Sequence, residues 1–161
     1  MKLSYLKGIS FGLTSGIITT LGMMVGLHAG THSTLAVLGG ILTIAIADAF
    51  SDALGIHISE ESANLHTAKE VWESTMSTFI AKLVFALTFV IPILLFELQM
   101  AIVVSIIWGM SVLGLISFWM AKSKKEPIWH VMGEHWLIAV LVIIVTHGVG
   151  DLINTYFGTV G

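Results

Sequence analysis

Polar residues are so sparse along this chain that five apolar stretches stand out by length alone. Crossing the ~30 Å hydrocarbon layer of a bilayer takes about 20 helical residues. Stretches at 6–27, 36–58, 79–96, 100–120 and 136–157 meet that requirement. The breaks between them are short: a polar turn from His28 to Ser33, a tight joint at Leu98 and Gln99 after Glu97, and a connection from Ser123 to Gly133 in which Pro127 stops the helix. The segment 59–78 has a different texture. Leu65, Trp72 and Met76 recur at helical spacing among Glu60, Glu61, His66, Lys69, Glu70 and Glu73, which predicts a short amphipathic helix lying at the membrane interface. Its acidic groups Glu61, Glu70 and Glu73 either gather metal ions or form a solvated face with pairs such as His66–Glu70 and Lys69–Glu73.

Composition agrees with the pattern. The chain is 56% apolar and only 11% charged, where a soluble domain carries about 25% charged residues. The expected class is therefore an all-α integral membrane protein with five transmembrane helices in a single domain. Cysteine is absent, which removes disulfides and thiolate metal sites, and arginine is absent too, which argues against nucleic-acid partners. All seven basic residues are lysines. Lys2, Lys7, Lys69, Lys122, Lys124 and Lys125 fall on segments that share one side of the membrane when the number of spans is odd. Lys82, one turn into the third predicted helix, is expected to snorkel to that side. By the positive-inside rule the N-terminus is cytoplasmic and the C-terminus lies opposite. A cleaved signal peptide is not expected, because the first stretch is long and lacks a small-x-small cleavage site. The expected location is a multi-pass protein of a plasma membrane, prokaryotic rather than organellar.

Charged groups inside the spans carry the candidate chemistry. Asp48 and Asp52 are four residues apart and share one face of the second helix. An aspartate at mid-bilayer costs about 2.5–3.5 kcal/mol, and two on one face repel. Either one is protonated or a cation lies between them. His147 and Asp151 repeat the spacing on the fifth helix, and His147 is expected level with Asp48, forming a ladder of ionisable groups across the membrane. Ser15 and Thr19 on the first helix are neutral oxygen ligands or bond their own backbone. His28 and His32 in the outer turn, like His130, Glu134 and His135, suit a transition metal or simply an interface. Met23 and Met24 read as packing. Glycines at 8, 12 and 16, then 22, 26 and 30, form small-residue ridges that admit another helix, from the same chain or from a second copy.

The run from Ser15 to Leu27 (SGIITTLGMMVGL), paired with Gly39 to Gly55 (GGILTIAIADAFSDALG), resembles the vacuolar iron transporter family. Phe89 to Pro92 and Thr146 to Gly150 resemble that family's third and fifth helices. The resemblance implies five helices with a cytoplasmic N-terminus, and a homodimer through the first helix (Gly8, Gly12, Gly16, Gly22 and Gly26). It also implies export of ferrous iron or manganese from the cytosol in exchange for protons, the metal being substrate and no cofactor being needed. The departures concern the site. Ser15 stands where the family has a metal-binding aspartate, Asp52 where it has methionine, Ile44 where it has an acidic residue, and Asp48 where it has glycine. The family's long cytoplasmic metal-binding insertion shrinks to 59–78.

The leading expectation is a divalent-cation/proton exchanger that binds its ion at Asp48 and Asp52 and carries the proton on His147 or Asp151. Exchanging methionine for a carboxylate favours harder ions, such as manganese, magnesium or calcium, over iron. The alternative is a non-transporting membrane scaffold whose polar groups only join helices. Enzymatic activity is not expected, since nothing beyond His28, His32 and Asp151 suggests a reactive centre.

Overall fold

The computed structural model describes residues 3–158, all of whose regular structure is helical. The elements are α1 (Leu3–Thr31), α2 (Thr34–Ala63), α3 (Ala68–Thr88), α4 (Val90–Leu95), α5 (Leu98–Lys124) and α6 (Ile128–Phe157). With α3 and α4 taken together, five of these stretches are long and apolar enough to cross a membrane. This is a multi-pass helical membrane protein.

Each span starts before its expected apolar limit, and α1, α2 and α5 also end beyond theirs, so the connections shrink. Only His32 and Ser33 separate α1 from α2. His32 adopts a left-handed backbone (φ 51°), and the Ser33 side chain accepts a hydrogen bond from the Ala36 N–H. Pro127 lies in the break between α5 and α6, as expected, and also caps the start of α6, where a missing N–H costs nothing. Pro92 does interrupt the third span. It has no N–H to give the Thr88 carbonyl, and the helix breaks at Phe89 between α3 and α4.

The predicted interfacial helix over 59–78 does not form. α2 continues to Ala63 and closes on Asn64 in a left-handed conformation, and α3 begins at Ala68. The acidic side chains of this stretch have partners that its amphipathic pattern did not reveal. Glu60 is buried and paired with both Lys7 and His66 (3.1 Å to the latter). Glu73 is buried as well and accepts a hydrogen bond from Ser4 at 2.8 Å. Glu70 and Thr67 form a reciprocal capping box at the start of α3. Thr67→Ala is expected to lower stability by about 1 kcal/mol, read as a small drop in melting temperature in detergent.

Helix α1 is the hub, packed on α2, α3, α5 and α6. Its glycines make this possible. A Cβ at Gly12 would sit 2.5 Å from the Thr78 carbonyl oxygen on α3, and one at Gly22 would sit 2.7 Å from Val142 on α6. Gly8 and Gly16 also face α3, while Gly26 and Gly30 face α6. Both ridges are therefore filled within one chain, and α1 keeps no vacant glycine ridge for a second copy. The innermost side chains are Ile17, Leu21, Met24, Ile41, Phe89 and Leu113. The helix ends that bear Lys7, Lys69, Lys122, Lys124 and Lys125 lie together at one end of the bundle. Lys2 lies outside the described residues.

Candidate cation site

The start of α3 at Ala68, eleven residues before the predicted start of the third span, changes the meaning of Lys82. Fourteen residues of helix precede it from Ala68, about 21 Å at the ~1.5 Å rise per residue. Lys82 therefore does not snorkel to the surface. Its side chain is 1% exposed and turned into the bundle, and its stem passes α1 at Gly16, where a Cβ would lie 3.2 Å from Lys82 Cγ.

The ammonium group ends between the two aspartates of α2. Lys82 Nζ donates to Asp52 Oδ2 and, at 2.9 Å, to Ser15 Oγ. It lies 2.5 Å from Asp48 Oδ2, an ion pair without the alignment of a hydrogen bond. The cation expected between the aspartates is thus supplied by the protein itself. Sequence reasoning missed this partner because it placed Lys82 at a helix end. A usable signal was present, since a lysine deep in an apolar helix needs carboxylates at its own depth.

The cluster is not sealed. Asp48 and Asp52 keep 24% and 19% of their side-chain surface exposed. Asp48 forms part of the wall of a crevice of about 490 Å³ between α1 and α2, which Thr19, Met23, Thr43 and Ser51 also line. Thr19 bonds back to the Ser15 carbonyl at 2.9 Å, so its hydroxyl proton is already used while its oxygen still faces the crevice. With all three groups ionised the triad carries one net negative charge, which a proton or an entering cation neutralises.

The other candidates lie elsewhere. His147 and Asp151 face one another across 3.6 Å on the outer surface of α6, 56% and 59% exposed. His147 is within electrostatic reach of His28, and the His28 and His32 rings are 5.6 Å apart at the lysine-free end. The ladder from Asp48 to His147 is not assembled within one chain: α2 packs on α1, α3 and α4, whereas α6 packs on α1 and α5. Glu61 lines a small polar recess with His57, Asn64 and His66 near the lysine-bearing end. His130 pairs with Glu134 at 3.2 Å, and His135 with Ser117 at 2.6 Å. Among the described residues no three histidine, aspartate or glutamate side chains are placed to share one metal ion. Two carboxylates with neighbouring hydroxyls thus share a single ammonium as counter-charge. No family model matches the chain, and no curated protein matches it either.

Proposed function

We propose that the chain is a proton-coupled cation transporter in which a divalent ion and the Lys82 ammonium compete for Asp48 and Asp52. The observation that carries this reading is the burial of Lys82 between two mid-span aspartates, one of which, Asp48, lines a crevice. A purely structural glue would gain nothing from an open wall beside it, because a desolvated ion pair is at best weakly stabilising. An exchanger uses such an arrangement directly. The Lys82 ammonium occupies the site when no metal ion is bound, and when a metal ion takes the carboxylates the ammonium is displaced and its proton passes to water. Lys82 thereby takes the coupling role first assigned to His147 and Asp151.

The resemblance of the first two helices to vacuolar iron transporters supports a divalent substrate moving from the cytosol, with ferrous iron and manganese as the leading ions. The all-oxygen ligand set of Asp48, Asp52 and Ser15 tips the choice toward manganese or a harder ion. The positive-inside rule supports a cytoplasmic position for the lysine-bearing end. If two copies associate, the outer faces of α2 and α6, the least buried of the five spans, are the broadest surfaces open to it, since the α1 glycines already meet α3 and α6.

Equilibrium binding in detergent tests the assignment. Asp52→Asn is expected to weaken manganese binding about tenfold or more, a loss of ~1.4 kcal/mol per decade. Asp151→Asn should change it by less than about twofold. Equal losses in both variants would remove Asp52 from the site. Competition among manganese, magnesium, calcium and ferrous iron tests the ligand-hardness argument, which equal affinities for all four would end.

A further inference from the structure

A second recess lies at the lysine-bearing end, on the opposite flank of α1 from the crevice at Asp48. It has a volume of about 530 Å³ and mostly apolar walls contributed by α1, α5 and the first turns of α6. Phe11 and Trp119 stand along it, 42% and 50% exposed. Lys7 and Lys124 flank its mouth, Ser10 and Ser123 add hydroxyls, and His135 stands deeper. Among the described residues no acidic side chain lines it.

The cations at the mouth are not equivalent. Lys7 shares its charge with Glu60. Lys124 is exposed and has no ion-pair partner among the described residues. His135 is oriented by Ser117, whose hydroxyl proton goes to the Leu113 carbonyl at 2.6 Å, so the ring donates from Nδ1 and leaves Nε2 unused. An apolar slot topped by the unpaired ammonium of Lys124, the Glu60-bound ammonium of Lys7 and two hydroxyls is complementary to an amphiphile with a negative head.

We propose that this groove holds one anionic phospholipid, with its phosphate between Lys124 and Lys7 and an acyl chain along Phe11 and Trp119. The polar part of the lipid then meets Ser10, Ser123 and Nε2 of His135. The charge argues against a zwitterionic lipid, whose choline would crowd the two lysines. The apolar depth argues against a soluble phosphate, which would leave the aromatic walls uncovered. Lys122 and Lys125, just outside the groove, add to the local positive potential without touching an occupant.

The test counts bound lipid by native mass spectrometry of the full chain, titrated with phosphatidylglycerol or phosphatidylcholine. The expected result is a first phosphatidylglycerol bound at least about fivefold more tightly than phosphatidylcholine, the preference falling about fivefold in Lys124→Gln. Lys122→Gln removes the same charge outside the groove and is expected to lower that preference by less than about twofold. Equal losses in the two variants would reduce the effect to general surface charge and overturn the proposal. So would equal binding of the two lipids. Displacement of the lipid by millimolar glycerol phosphate would reassign the groove to a soluble anion.

Discussion

Lys82→Met should lower the stability of the protein by about 3–5 kcal/mol, the usual cost of stripping one partner from a buried ion pair. Methionine matches the lysine stem in volume and rotamers, so the packing against Gly16 survives and the loss reports charge alone. What remains is two carboxylates one turn apart, largely removed from water and with no cation between them. Asp48→Asn and Asp52→Asn introduced together with Lys82→Met should recover most of the loss, because the triple variant has no buried charge to compensate. Thermal melting in detergent, with and without manganese, reads both effects. The single variant should also gain more stability from manganese than the wild type does, since the metal then fills the place of the ammonium. A Lys82→Met protein that melts like the wild type would show that the aspartates do not depend on this lysine.

Gly12→Val should be nearly as damaging, for steric reasons. The added Cβ would meet the Thr78 carbonyl oxygen at 2.5 Å, a backbone atom that moves only if α3 moves. Overpacking of this kind costs about 1–3 kcal/mol and more where no side chain can yield. The displacement has a functional consequence as well. Lys82 lies one turn further along α3 than Thr78, so pushing α3 from α1 draws the ammonium away from Ser15 and the aspartates. Loss of manganese binding should therefore accompany loss of stability. Gly148→Ala on α6 is the matched control, with nothing within 4 Å of the added carbon, and should be close to neutral. Equal tolerance of both substitutions would contradict the α1–α3 contact.

The five spans were legible because length and apolarity suffice to mark a helix that crosses a bilayer. The paired aspartates were legible for a related reason: helical spacing alone puts Asp48 and Asp52 on one face. What the pattern does not carry is where a helix stops once it leaves the hydrocarbon. α3 starts well before its apolar run, and that shift turned Lys82 from a surface residue into the centre of the site. The overrun of α2 to Ala63 and the early start of α3 likewise explain Glu60 and Glu73, which read as a solvated face but are buried against Lys7, His66 and Ser4. Neighbour choice was equally hidden. Glycine ridges on α1 announce close packing, yet the ridge does not name its partner, and α3 and α6 fill places that a second copy would equally have suited. The ladder linking Asp48 to His147 assumed that helices at equal depth meet, whereas α1 carries α2 and α6 as separate neighbours.

The most direct test of coupled exchange is a flux measurement on protein reconstituted into liposomes with a trapped pH dye. Manganese is added outside and its uptake is followed together with the internal pH. The account predicts manganese entry matched by proton movement in the opposite direction, with both signals lost in Asp48→Asn/Asp52→Asn and kept in Asp151→Asn. Manganese entry without any proton movement, or no flux of manganese or ferrous iron through protein that melts normally, would contradict it.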